Sequence, residues 1–116
     1  MKESYLNLPS VLYFMSEIRE LVREAHGINS KLVSVPRLLI LASLEGLGQD
    51  GAAYRELKAG LEMDDGLLYS NLEALKGMGY IEEKGVRLEN KDMTSYHITG
   101  EGKEALDGAR AWFDKI

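Results

Sequence analysis

The sequence predicts a mostly α-helical chain carrying one small β-hairpin, an α+β fold. Two short helices joined by a tight turn lie at its centre, and three observations predict it. Leucines recur at helical spacing, Leu57 and Leu61 in one run and Leu68, Leu72 and Leu75 at i, i+4, i+7 in the next. Only Glu62, Met63 and Asp64 separate these runs, and Asp64 or Asp65 can cap the second helix, while Gly77 and Gly79 supply the left-handed stop that ends it. From Tyr80 to Lys84 and from Thr94 to Thr99, residues rich in β-branched and aromatic side chains flank the polar tip GVRLENKD, the pattern of a hairpin.

Met1–Pro9 reads as a polar lead-in. Ser10 is the expected cap of a helix running to about His26, with Gly27 as its stop. Val11, Met15, Ile18, Val22 and Ala25 form its apolar stripe, widened by Leu8, Leu12, Phe14 and Leu21, opposite Glu17, Arg19, Glu20, Arg23 and Glu24. Such a stripe either packs on its own domain or forms a seam with a second subunit. A helix placed ahead of the central unit has little core of its own to cover, which favours the seam. Ile28–Val35 is a linker in which Ser34 caps the next helix. Pro36 lies in the first turn of that helix, where a missing N–H costs nothing, and the helix is expected over Arg37 to Leu44 or Glu45.

Gly46, Gly48 and Gly51 around Asp50 predict a turn-rich connector, with one short strand at Ala52 and Ala53. Their spacing matches neither a dinucleotide nor a phosphate loop. On the hairpin, Ile81, Tyr96 and Ile98 are the expected core-facing positions. Thr99 caps a last helix to about Lys115, whose Leu106, Ala109, Trp112, Phe113 and Ile116 again form a stripe. The organisation is one structural domain in three parts. Residues 1–35 are a dimerisation helix and linker, 36–99 a central unit, and 100–116 a second dimerisation helix. The expected seam residues are Val11, Met15, Ile18, Val22, Leu106, Ala109, Trp112 and Phe113.

Two helices joined this tightly, followed by a hairpin, form a winged helix-turn-helix. Three stretches make the likeness specific: VPRLLILASL, YRELKAGLEMDDGLLYSNLEALKGMGYIE and SYHITGEGKEAL. From Pro36 to Leu106 the chain resembles the winged-helix regulators related to MarR and ArsR, especially the small group described as winged-helix DNA-binding domain. The resemblance implies a homodimer that reads operator DNA, with the helix 65–78 in the major groove and the wing 82–96 on the flanking backbone. It places Gly66 at the opening of the recognition helix and Leu68, Leu72 and Leu75 on its buried face. Tyr69, Ser70 and Asn71 then face the groove, with Glu73 and Lys76 a turn further on. Asn can bond adenine bidentately, Ser and Tyr reach phosphate or a base edge, and Lys76 offers a phosphate contact. On the wing only Arg87 and Lys91 are available for phosphate. The basic, proline-containing run common in the family is absent there, and Ser70 stands where members often carry a cation.

Composition bounds the function. The chain of 116 residues has no cysteine and a net charge of −5, with nine acidic against six basic residues between Ala52 and Thr99. Phosphate binding draws on Lys and Arg, so an acidic reader must gather its few cations on one face. The rival reading is a protein-interaction module, which would leave its cations scattered and expose an apolar patch around Leu67 and Tyr69. The absence of cysteine and of a signal-like N-terminus leads us to expect a cytoplasmic protein with no membrane partner. His26 and His97 stand alone, the pairs Asp64–Asp65 and Glu82–Glu83 suit capping and a strand edge, and no serine has a nucleophile context. The expectation is therefore no enzyme, no metal and no cofactor. Tyr13, Phe14, Met15, Trp112 and Phe113 are the candidates to line a pocket for a small-molecule effector, unless they are plain core.

Overall fold

The computed structural model describes residues 8–116. Helix α1 (Leu8–Glu17) is followed by α2 (Arg19–His26), α3 (Val35–Leu47), a 3-10 turn (Gly48–Asp50), β1 (Ala52–Ala53) and α4 (Tyr54–Leu61). Then come α5 (Asp65–Gly77), β2 (Ile81–Leu88), β3 (Lys91–Ile98) and α6 (Gly100–Lys115). Of the predicted lead-in Met1–Pro9, residues 1–7 lie outside the described residues, and Leu8 and Pro9 already belong to α1, so the helix begins earlier than expected.

The N-terminal helix expected as one piece is two. Ile18 adopts φ −89° and ψ 2°, which interrupts regular geometry, while bonds from the Ile18 N–H to Phe14 O (3.1 Å) and from the Val22 N–H to Ile18 O (3.0 Å) bridge the break. No glycine or proline announces it. Ser10 sits inside α1 and is not its cap. Gly27 does end α2, yet in right-handed geometry (φ −85°), its N–H bonding Glu24 O. Helix α2 is held to α6 by the Trp112 indole N–H, which donates to Leu21 O at 2.9 Å, and by the Lys115–Glu24 pair at 2.6 Å.

Ser34 caps α3 by accepting the Arg37 N–H, and Ile40, Leu41 and Leu44 enter the core fully buried. The helix runs on to Leu47, past its expected end, and stops at Gly48, whose φ of 59° departs from helical geometry. Gly51 is required where it stands: its φ is +62°, and a Cβ there would lie 2.5 Å from both Tyr96 O and the His97 ring.

The sheet order is β1-β3-β2, all antiparallel, with β1 pairing Ala52 to Tyr96 and β2 running in register from Ile81–Ile98 to Leu88–Lys91. The hairpin is longer than expected. Its strands continue to a two-residue turn at Glu89 and Asn90, both left-handed (φ 52° and 65°), so the supposed eight-residue tip is mostly paired backbone. Ladder hydrogen bonds need no core beneath them, and of β2 only Ile81 is buried. Helix α6 starts at the Thr99 cap and seats Leu106 and Ala109 inward. Leu32, Leu41, Leu57, Leu68, Leu72 and Leu75 are among the residues of the single core that α3, α4, α5, β3 and α6 enclose.

Candidate nucleic-acid interface

The unit α4–turn–α5 is set by local chemistry. Glu62 ends α4 in left-handed geometry (φ 53°), buried Met63 plugs the turn, and Asp64 Oδ1 caps α5 by accepting the Leu67 N–H at 2.7 Å. A polar cluster ties the two helices together. The Tyr54 hydroxyl donates to Asp65 Oδ1 at 2.9 Å, and Lys58 Nζ lies 3.1 Å from the same carboxyl. Lys58 first and Tyr54 second hold the Asp65 carboxyl below its usual pKa, while desolvation and the neighbouring Asp65 raise that of Tyr54.

Helix α5 buries Leu68, Asn71, Leu72 and Leu75, so Gly66, Tyr69, Ser70, Glu73 and Gly77 remain on its exposed side. Asn71, expected to face a groove, points inward instead. It is 8% exposed, its Oδ1 accepts from Arg37 Nε at 2.8 Å, and its Nδ2 donates to Leu67 O at 2.8 Å. The reason is angular: three positions after Leu68 and four before Leu75, residue 71 shares their inner face. Ser70 is exposed, with its hydroxyl turned back to Leu67 O.

Lys76 is engaged within the chain. Its Nζ lies 3.0 Å from Glu73 Oε2 and 3.0 Å from Glu83 Oε1, which joins the end of α5 to the base of the wing. The two carboxylates hold its ammonium charged well above the ordinary lysine range, and Lys76 in turn lowers the Glu83 pKa. Glu83 stands opposite buried Tyr96, whose hydroxyl pKa is raised by burial and then by that carboxylate. On the wing Arg87 bonds its cross-strand partner Asp92 at 2.8 Å, and Lys91 begins β3 beside the turn.

The expected seam residues divide. Val11, Met15 and Val22 are exposed, Ile18 and Trp112 half-buried, and Phe113 exposed with its ring edge-on to Trp112. Leu106 and Ala109 are already buried within the chain, so they are not available to a seam. They lie on the side of α6 that meets α3, which the stripe alone did not distinguish from the side left open. The expected effector pocket does not assemble as drawn. Clefts of about 250 and 300 Å³ flank Trp112, lined by residues such as Ile28, Val33 and Phe113 on one side and Ile18, Leu21 and Val22 on the other, not by Tyr13, Phe14 or Met15. Among the described residues, no group of three acidic or histidine side chains could hold a metal ion, and no helix is long and apolar enough to cross a membrane.

The sequence profile of the family described as "Winged helix DNA-binding domain" matches residues 36–116. The chain belongs to this family. By that description its members are DNA-binding domains. Comparison with solved structures returns the same architecture. The Staphylococcus aureus MepR–DNA complex superposes with a TM-score of 0.64 at 17% identity, covering 90% of this chain and 84% of that one. The MarR family transcription regulator SP03579 gives 0.58 at 21% identity over 95% and 68% of the two chains. A transcriptional regulator homologue from Pyrococcus horikoshii gives 0.59 at 23% over 87% and 97%. At these identities the likeness is one of fold, and the fold is that of MarR-type regulators. Comparison with curated protein sequences gave no match.

Proposed function

We propose that the chain is a cytoplasmic, homodimeric transcription regulator of repressor type, reading operator DNA with α5 and bracing the flanking backbone with the wing. The arrangement of α5 supports this reading best. Its inner face is pinned by three fully buried leucines, so Tyr69, Ser70 and Glu73 project together between Gly66 and Gly77. Glycine at both ends of that face lets a helix approach the groove floor closely. Ser70 suits a base edge or phosphate, and Glu73 suits the cytosine amino group. The fold has a precedent bound to DNA in MepR. Arg87 and Lys91 place charge on the wing for phosphate.

The dimer rests on α1, where Val11, Leu12, Tyr13, Phe14 and Met15 are each between 49% and 68% exposed. A ten-residue helix this apolar is marginal in water by itself. A second copy covering it, together with Ile18, Val22, Trp112 and Phe113, removes that surface from solvent. The pair would then present two α5 helices about 34 Å apart, one turn of DNA. An effector would act by changing that spacing.

A second reading, a protein-interaction module, is favoured by two observations. Lys58, Lys76, Lys84 and Arg87 are all ion-paired within the chain, and Leu67 and Tyr69 are 42% and 59% exposed beside them. Fluorescence anisotropy with random and genomic duplexes between about 50 and 200 mM salt separates the two. The DNA reading expects salt-sensitive binding that a Tyr69/Ser70/Glu73 triple-alanine variant loses. A folded dimer that binds no duplex at the lowest salt would sink it and leave the interaction module standing. Sedimentation should give twice the chain mass of 13.0 kDa, and Met15→Glu should return the protein to a single chain.

A further inference from the structure

In the helix-turn-helix and wing, Lys58, Lys76, Lys84 and Arg87 are each paired with a carboxylate; Arg37, on the neighbouring helix α3, is not. No carboxylate among the described residues pairs with it, yet its guanidinium is held on two sides. Nε donates to Asn71 Oδ1 on α5 at 2.8 Å, and Nη1 donates to the backbone oxygen of Lys31 in the linker. Both acceptors are uncharged, so the full positive charge is retained. Among the described residues Nη2 has no hydrogen-bond partner. A guanidinium fixed in plane by two neutral acceptors, with its outer edge free, has already lost the side-chain entropy that binding an anion would cost.

The position matters as much as the charge. Lys76 and the wing lie along one flank of α5, reached through Glu83. Asn71 and Leu67 lie on the other flank, and Arg37 covers it. A helix in a major groove has a phosphate backbone on each rim, and the wing can serve only one of them.

We infer that Arg37 is a DNA-phosphate ligand on the rim opposite the wing, and that Asn71 is the positioning residue that aims it. The inference rests on the DNA reading above and deepens it. The role expected of Asn71 at a base edge passes to a cation from a different helix, presented by Asn71 from behind. It also meets part of the charge problem, since an acidic chain gains a contact from a cation outside the recognition helix and the wing.

The test compares the salt dependence of duplex binding for the wild-type chain, Arg37→Gln and Asn71→Asp. The glutamine removes the charge and keeps an amide donor near Asn71. The aspartate leaves Arg37 in place and neutralises it with a nearly isosteric carboxylate. Each phosphate contact contributes about 0.9 to the slope of log K against log salt, so a homodimer losing one contact per subunit loses about 1.8, which makes the affinity loss between 50 and 200 mM about 12-fold smaller. Both variants are expected to show that flattening, on specific and random duplexes alike, with cooperative melting retained. A steep wild-type slope kept unchanged by the folded variants would overturn the assignment and leave Arg37 a purely structural brace. Should one variant fail to melt cooperatively, the other decides. No binding by the wild-type chain at any salt would overturn this inference and the DNA reading together.

Discussion

Helix α6 contains two glycines whose replacement by alanine should move stability in opposite directions. A Cβ on Gly108 would meet nothing within 4 Å. A Cβ on Gly102 would lie 2.9 Å from Ile98 Cγ1 and 3.0 Å from the carbonyl carbon of Tyr80, with the carbonyl oxygen closer still. That oxygen cannot retreat freely, because it accepts the Thr99 N–H at 3.0 Å at the start of the same helix. Restoring ordinary contact requires the first turn of α6 to back away by on the order of 1 Å. Overpacking of this kind costs about 1–3 kcal/mol, and a clash against backbone belongs near the upper end. The alanine recovers about 1 kcal/mol of helix propensity at either site. Gly102→Ala should therefore lose about 2 kcal/mol and Gly108→Ala gain up to about 1 kcal/mol, a separation of about 3 kcal/mol. Urea unfolding at one fixed protomer concentration measures it, since self-association would otherwise shift the midpoint. Equal midpoints for the two variants would refute the claim that Gly102 is there to let α6 touch the sheet.

Further outcomes follow from the polar cluster and the wing. The folded-state pKa of Asp65 is lowered, so its contribution is present above the unfolded value near 3.8 and is lost as pH falls through the folded one. The stability difference between wild type and Asp65→Asn should accordingly shrink on acidification, read from urea midpoints between pH 6 and 2.5; a difference that stays constant across that range would contradict the pairing with Lys58 and Tyr54. At the wing, Glu89 and Asn90 occupy two left-handed positions, and the pair Glu89→Asn, Asn90→Gly should stabilise the hairpin by about 0.5–1 kcal/mol. Slower amide exchange at Lys91–Thr94 would register this, and faster exchange would argue against the two-residue turn.

Much of the local chemistry from α3 onward was legible in the sequence, whereas the cap expected at Ser10 and the break at Ile18 were not. Ser34, Asp64 and Thr99 each cap a helix with a bond that spans three residues, and all three were visible as residue types at the right offset. The leucines of α5 and the left-handed Gly79 (φ 80°) likewise depend on neighbours a turn away, whereas Gly77, expected to share that stop, still lies inside α5. The rest of what could not be read depends on distant partners. Nothing in the string joins Arg37 to Asn71, which lies 34 positions on, or Lys76 to Glu83 across the start of the wing. Asn71 is instructive because its offset from Leu68 and Leu75 already assigned it to the inner face. Its polarity suggested a groove, and the periodicity was the better guide. The side of α6 that meets α3 was hidden for a related reason: an apolar stripe shows that a face is buried without naming what buries it.

Strand β2 has a partner on one side only, since the sheet order leaves it at the margin. Its outer row of amide and carbonyl groups is a template onto which another extended chain could add. With only Ile81 buried, little packing would resist such an addition. Glu82, Glu83, Lys84 and Arg87 stand along this margin, and a charged border of this kind discourages edge-to-edge joining. The mixed charge of the wing thus has a second use, as a guard against sheet growth between molecules. Substituting those residues by apolar ones would therefore threaten solubility before it changed any affinity.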